Sequence, residues 1–185
     1  MALQDEQLEE AIGQRVVLRE LTRADVDLMA EWPRFVEPEL QWANLELSTP
    51  RERDAWFDRS RSNSTRRRYT IWTDDGRAIG TIGLRNLDFR FGEGTLGIIV
   101  NAADVGRGYG TDAVRTLVGH AFRRLGLRKV YLDVAEGNDR ARRSYEKVGF
   151  VRIGQHRGAD GLIYVDMLMT RDRWQMLSRR AEPSP

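Results

Sequence analysis

The chain of 185 residues has no cysteine and only two histidines. Without cysteine there is no disulfide, no thiolate metal site and no cysteinyl acyl-enzyme. The lack also fits a reducing compartment, so a cytoplasmic location is expected. His120 and His156 are far apart in sequence, and with no thiol beside them they make no metal site. No stretch approaches the ~18 apolar residues of a membrane span. The opening residues are polar and acidic, which does not read as a signal peptide. Charge of one sign is scarce too. Thirty Lys and Arg against 28 Asp and Glu leave a net +2, too little to point to nucleic acid. The expectation is therefore no metal, no membrane and no nucleic-acid partner.

What is present is an alternation of short apolar strands and amphipathic helices. The length favours one domain with a real core. Residues 1–14 are expected as a loose or helical lead-in, 15–178 as a single domain, and 179–185 as a frayed tail. A strand over 15–21 precedes a helix capped by Thr22, with Asp25 at its third position. Trp32-Pro33 ends that helix. Residues 34–48 read as irregular or as a short helix. Thr49-Pro50-Arg51-Glu52 is a capping box with proline at the first helical position, predicting a helix to about Ser62. The arginine run at 66–68 reads as a solvated loop. Strands on either side of Asp75-Gly76 form a hairpin. Gly80 and Gly83, inside a strand, suggest close approach of another backbone or a ligand.

The centre of the chain is residues 98–114. An apolar run, Ile98-Ile99-Val100, leads into alternating glycines, Gly106, Gly108 and Gly110. A helix follows, with apolar residues at Val114, Leu117, Val118, Ala121, Phe122 and Leu125. A glycine turn opening a helix gathers free N–H groups at its positive end, which predicts an anion site. The loop is not a phosphate-binding P-loop, because Thr111-Asp112 stands where Lys and Ser or Thr are needed. The spacing of its last glycine is also wrong for a dinucleotide fingerprint. Beyond it lie a strand over 129–134, a short helix capped by Asn138 and ended by Gly149, two strands around Gly158-Ala159-Asp160-Gly161, and a terminal helix. The order β-α-α-β-β-β-α-β-α-β-β plus a helix predicts an α+β (mixed α/β) fold. Its sheet is expected to be mixed, mostly antiparallel, six- to seven-stranded, and flanked by helices on both faces.

Residues 95–150 resemble the GNAT superfamily of acyl-CoA N-acyltransferases. Two linked segments carry the resemblance. One is Leu96-Gly97-Ile98-Ile99-Val100 with Gly106-Arg107-Gly108-Tyr109-Gly110-Thr111. The other is Asn138-Asp139-Arg140-Ala141-Arg142-Arg143-Ser144-Tyr145-Glu146-Lys147-Val148-Gly149-Phe150. Leu18-Arg19, Asp25, Trp56-Phe57 and the hairpin from Gly161 to Asp166 are similar to the branch holding ribosomal-protein N-terminal acetyltransferases and spermidine acetyltransferases. One position departs: Val105 stands where the family usually carries Gln or Arg.

The resemblance implies a GNAT fold and an N-acetyltransferase that uses acetyl-CoA as cosubstrate. It implies transfer to a primary amine, such as a protein N-terminus, a polyamine or another small amine, by direct attack in a ternary complex. The alternative is a GNAT-fold module that binds acyl-CoA without catalysis. A homodimer is compatible with either. The coenzyme pyrophosphate would lie on the N–H groups of Gly106, Arg107, Gly108, Tyr109, Gly110 and Thr111, with Val105 beside them as a further cofactor-binding position. The pantetheine arm would run along Ile98, Ile99 and Val100 and meet Asn138, in a slot opened by splay from the strand at 130–135. Arg140, Arg142 and Arg143 are candidates for added charge near the phosphates. Tyr145 matches the general acid of the family. For the general base Glu93 is the nearest glutamate before the loop, although an ordinary turn glutamate is an equal reading; Glu37, Glu39, Glu46 and Asp166 are further options. The first three of these would form an acidic rim suited to a cationic amine.

Overall fold

The structure, a computed structural model, describes residues 10–61 and 64–181, apart from the side chains of Pro38, Glu39, Trp42 and Ala181. Strands β1 (Glu10–Ile12) and β2 (Val16–Glu20) lead to helices α1 (Arg23–Ala30) and α2 (Pro50–Arg61), with a short 3-10 helix at Pro38–Ala43 between them. Then come β3 (Arg67–Thr73), β4 (Ala78–Asp88), β5 (Glu93–Val100), α3 (Tyr109–Arg123), β6 (Lys129–Ala135), α4 (Asp139–Val148), β7 (Val151–Arg157), β8 (Ile163–Thr170) and α5 (Arg171–Ala181). All strands join one sheet of order β1-β2-β3-β4-β5-β6-β8-β7. Its pairs are antiparallel except β5 with β6.

The sheet thus has eight strands rather than six or seven. The addition is β1, inside the expected lead-in, where Glu10 to Ile12 pair with Val17 to Arg19. A three-residue strand burying only Ala11 shows no alternation long enough to read in sequence. Residues 1–9 lie outside the described ones. At the other end α5 continues to Ala181, past the start of the expected tail, and residues 182–185 are again outside.

Local chemistry accounts for most element ends. Thr22 and Asp25 form a capping box on α1: the Thr22 amide donates to Asp25 Oδ2 at 2.8 Å and the Asp25 amide to Thr22 Oγ1 at 3.3 Å. Thr49 and Glu52 do the same on α2, at 2.8 and 3.2 Å. Gly149 ends α4 with φ +113°, a conformation that glycine adopts without the cost of a Cβ. The close approach expected at the strand glycines is observed. A Cβ on Gly80 would sit 2.6 Å from the Ile99 carbonyl oxygen, and one on Gly83 would strike the Arg67 carbonyl.

Successive residues of β3 face opposite ways and so identify the two layers. Tyr69 and Ile71 belong to the main core, with Val114, Leu117, Val118, Ala121 and Phe122 of α3. Thr70, between them, turns to the other side and donates its hydroxyl to Asp25 of α1 at 2.7 Å. There Leu21, Val26, Met29 and Leu47 form a smaller cluster with Trp56 and Phe57 of α2. Each fully buried leucine or valine contributes roughly 1.5–3 kcal/mol. The sheet is therefore fixed from both faces, and its middle strands can open locally without loss of the fold.

Candidate active site

That opening lies between β5 and β6. Their parallel pairing covers only Glu93 to Thr95 against Lys129 to Tyr131. Beyond Thr95 the edge of β5 that faces β6 has no partner strand among the described residues, while its other edge stays paired with β4 up to Val100. The gap forms a cavity of about 670 Å³, lined by Leu96 to Val100 of β5, by Asp133 to Ala135 of β6, and by the loop before α3. The splay expected from the resemblance is present.

The loop is built by two glycines with positive φ, Gly106 at +78° and Gly108 at +87°. Gly108 is the N-cap of α3 and supplies no side-chain cap. The first amide of the helix with an acceptor is that of Asp112, which donates to the Gly108 carbonyl at 3.1 Å. Among the described residues, the amides of 106–111 find no acceptor within the protein. Gly106, Gly108, Gly110 and Thr111 all line the cavity. Unpaired N–H groups at the positive end of a 15-residue helix are a receptor for an anion. Gly110 keeps the way open, since a Cβ there would point at Val100 Cγ2, 3.4 Å away, and at Ile98 Cδ1.

The other predicted residues divide. Ile98, Ile99, Val100, Val105, Asn138 and Tyr145 line the cavity. Asn138 caps α4 by accepting from the Ala141 amide at 3.1 Å, which leaves its Nδ2 group without a partner among the described residues. Thr111 and Ser144 share a hydroxyl hydrogen bond at 2.6 Å that ties α3 to α4 at the cavity wall. Arg107 and Tyr109 do not line the cavity. The Arg107 carbonyl accepts from Arg15 Nη1 at 2.5 Å, and the Arg15 guanidinium lies 4.5 Å from the centre of the Tyr109 ring. Arg15 thus braces the loop through the Arg107 carbonyl and the Tyr109 ring, while the Arg107 guanidinium turns to Asp104. Of the α4 arginines, Arg140 and Arg143 line the cavity, while Arg142 turns back to the Glu136 carbonyl and to Asp139.

Tyr145 is 8% exposed, and its ring packs edge-on against Phe150 at 6.1 Å. Among the described residues its hydroxyl has no hydrogen-bond partner. Burial, and then the nearby charge of Asp133, push the phenol well above the usual tyrosine range, so it stays protonated at neutral pH.

Glu93 is not at the cavity. It starts β5, seven residues from Val100, or about 23 Å at roughly 3.3 Å per residue. There it pairs with Lys129 at 2.8 Å. Closeness to the loop in sequence misleads, because the strand between them is extended. Glu37 and Glu46 do not line the cavity either, the side chain of Glu39 lies outside the described residues, and Asp166 pairs with His156 at 2.8 Å. His120 is buried against Tyr69, with ring centres 5.8 Å apart. Among the described residues the carboxylates that do line the cavity are Asp104 and Asp133. Asp104 is almost fully buried and held by Arg77 at 3.2 Å and Arg107 at 3.7 Å. Asp133 is partly open and meets Arg85 at 2.6 Å.

The largest departure from expectation is the arginine run. Only Arg66 stays in the loop, exposed; Arg67 and Arg68 open β3, and all three line the cavity together with Arg85. Arg68 lies 5.0 Å from the Trp56 ring of α2. Burial, and then Arg66 beside it, lower its pKa from the ordinary arginine value. Neither Arg85 nor Arg68 is singled out for the site by sequence reasoning, and the place of Arg68 depends on the register of three strands.

Comparison with known proteins gives a consistent picture. The model of an acetyltransferase (GNAT) domain matches residues 15–151. The chain is 33% identical over 108 residues to YdaF of Bacillus subtilis, provisionally named a ribosomal N-acetyltransferase, with 58% of each chain covered. It is 38% identical over 84 residues to a type 1 aminoglycoside N(6')-acetyltransferase of Serratia marcescens, covering 45% of this chain and 41% of that one. The matches thus span about half the length of these two relatives. A spermidine N(1)-acetyltransferase of Vibrio cholerae is 24% identical over 153 residues, covering 77% of this chain and 83% of the relative. Among solved structures, the Vibrio cholerae spermidine N-acetyltransferase in complex with CoA and spermine superposes with a TM-score of 0.75 at 20% identity, over 86% of this chain and 98% of that one.

Proposed function

The chain belongs to the acetyltransferase (GNAT) family, and from that premise we propose that it transfers the acetyl group of acetyl-CoA to a primary amine within a ternary complex. The observation that carries the reading is the set of unpaired amides at 106–111, of which Gly106, Gly108, Gly110 and Thr111 line the gap between β5 and β6. The residues fit the cosubstrate. Those amides, with the dipole of α3, suit a pyrophosphate. Arg140 and Arg143 add positive charge on the α4 side. The unpaired edge of β5 from Leu96 to Val100 suits an amide-containing arm laid down as an added strand, with Asn138 at its flank. Val105 also lines this wall, and since the proposed pyrophosphate contacts are backbone amides, an apolar side chain there does not remove them.

Acetyl-CoA supplies the activated acyl carbon. The attacking amine must be neutral, and Asp133 is the carboxylate placed to take its proton, directly or through water. As the C–N bond forms and the C–S bond breaks, charge moves to sulfur, and the Tyr145 hydroxyl donates a hydrogen bond to it. Full proton transfer from that phenol is unfavourable. A reference tyrosine at about 10 and a thiol at about 8.5 already differ by about 2 kcal/mol, and the Tyr145 value is higher still. Tyr145 therefore acts as a donor to a developing thiolate, whose proton comes from the amine or from solvent. The catalytic unit proposed here starts at β1 rather than at Arg15 and ends in α5. A homodimer belongs to the proposal, on the exposed edge strand β7 with Val151 and Ile153, and sedimentation tests it.

The test is release of free thiol from acetyl-CoA over a panel of peptide, polyamine and small amines. Acetylation of at least one amine, confirmed by mass, supports the reading. Binding of CoA with no transfer to any amine would favour the non-catalytic module instead.

A further inference from the structure

On the reading just proposed, we infer that the acceptor amine belongs to a molecule that also carries an anionic group, a carboxylate or a phosphate ester, and that Arg68 receives that group.

The register locates Arg68. It stands opposite Gly83 of β4, and Gly83 stands opposite Gly97 of β5. In the same way Arg85 pairs with Thr95, and Thr95 with Tyr131, two residues before Asp133. By alternation Arg68, Arg85 and Asp133 share the sheet face of Thr70, the one covered by α1 and α2. The glycine loop lies beyond Val100, three residues along β5 from Gly97 and so at least about 10 Å away. The cavity thus has two cationic ends. The loop end is matched to the coenzyme phosphates, which leaves the Arg68 end for the second substrate.

The charges at this end are unbalanced. Arg67 turns its guanidinium to the carbonyls of Ser64 and Arg66, at 3.5 and 2.8 Å. Arg85 is matched by Asp133. Arg68 has the Trp56 ring behind it, and among the described residues no carboxylate or carbonyl lies within reach. A half-buried guanidinium cannot shed its proton, and its desolvation is offset only when a counter-charge arrives. Space for that counter-charge is present. Gly97 is exposed, and a Cβ added there meets nothing within 4 Å. An anion seated beside Gly97 would hold its own amine toward Asp133 and the gap between β5 and β6. A polycation would instead place its extra charge against Arg66 and Arg68. The acidic rim expected from sequence gives way, among the described residues, to a basic one.

The test compares γ-aminobutyrate and phosphoethanolamine with spermidine and with n-propylamine, which carries no second charge. Thiol release and product mass are followed, and CoA binding is measured separately by calorimetry. At least one anionic amine should exceed both spermidine and n-propylamine in kcat/KM; which of the two does so tells carboxylate from phosphate. Arg68→Gln should lower the preference for that amine over n-propylamine about ten- to hundred-fold, mostly through KM, as expected for loss of a charge-assisted contact. Arg68→Lys, which keeps the charge, should restore part of it. Spermidine outranking both anionic amines, or an unchanged preference ratio in Arg68→Gln, overturns the inference while leaving the transferase reading intact. A wild-type chain that binds no CoA overturns both.

Discussion

Replacing Tyr145 with Phe isolates one hydroxyl at the reacting centre. The ring is buried and packs on Phe150, and phenylalanine keeps both contacts. The hydroxyl has no protein partner among the described residues, so its removal orphans no other group. A buried hydroxyl without a partner is itself a cost of roughly 1–3 kcal/mol, which water in the cavity reduces. The variant should therefore unfold at the same temperature as the wild type or slightly above it. CoA affinity should also hold, because the amides at 106–111 are untouched. What is lost is a hydrogen bond to the departing thiolate. A bond to a charged group contributes about 1.5–3 kcal/mol, which is roughly a 10- to 150-fold fall in kcat. Steady-state thiol release gives kcat, calorimetry with CoA gives the affinity, and thermal unfolding controls for the fold. Wild-type kcat in Tyr145→Phe, or a loss explained wholly by weaker CoA binding, would refute the assigned role.

Other expectations follow from the same geometry. Gly110→Ala should raise helix stability by up to about 1 kcal/mol yet weaken CoA binding, because the new methyl points at Val100 and Ile98 along the proposed path of the arm; unfolding and calorimetry should move in opposite senses. Asp133→Asn should depress kcat while Glu93→Gln leaves it unchanged, since only the former carboxylate lines the cavity; equal losses in the two variants would contradict the placement. Alkaline pH should destabilise the fold. The Tyr145 phenol is raised by burial, and Tyr164 is pushed up to about 12 because its hydroxyl donates to Asp160. The unfolded chain then ionises first, near pH 10, and stability falls as pH rises from there. A denaturant series at rising pH should show a shallower decline for Tyr145→Phe than for wild type.

The features legible in sequence were local ones. The capping boxes at Thr22 and Thr49, the Asp75-Gly76 hairpin and the apolar stripe of α3 each depend on residues within one or two turns of chain. The two linked segments around Gly108 and Tyr145 named the family, and strand glycines at 80 and 83 announced close packing. The site itself was less legible, because it is a product of register. Arg68 reaches the cavity only through its alignment with Gly83 and Gly97. Asp133 does so because β6 parts from β5 after Tyr131. Glu93 failed for the converse reason: it is near the loop by count and far from it along an extended strand. Arg107 and Tyr109 belong to the loop but do not line the cavity, Arg15 holding the carbonyl of one and the ring of the other, and nothing in the motif distinguishes the lining residues from the bracing ones.

The central claim is that the open amides before α3 and the gap beside β5 hold coenzyme A. Calorimetric titration of CoA into the wild-type chain tests it most directly. The account predicts saturable one-site binding well below roughly millimolar ligand, weakened in Gly110→Ala and preserved in Tyr145→Phe. No binding heat up to roughly millimolar CoA, or binding indifferent to Gly110→Ala, would contradict it.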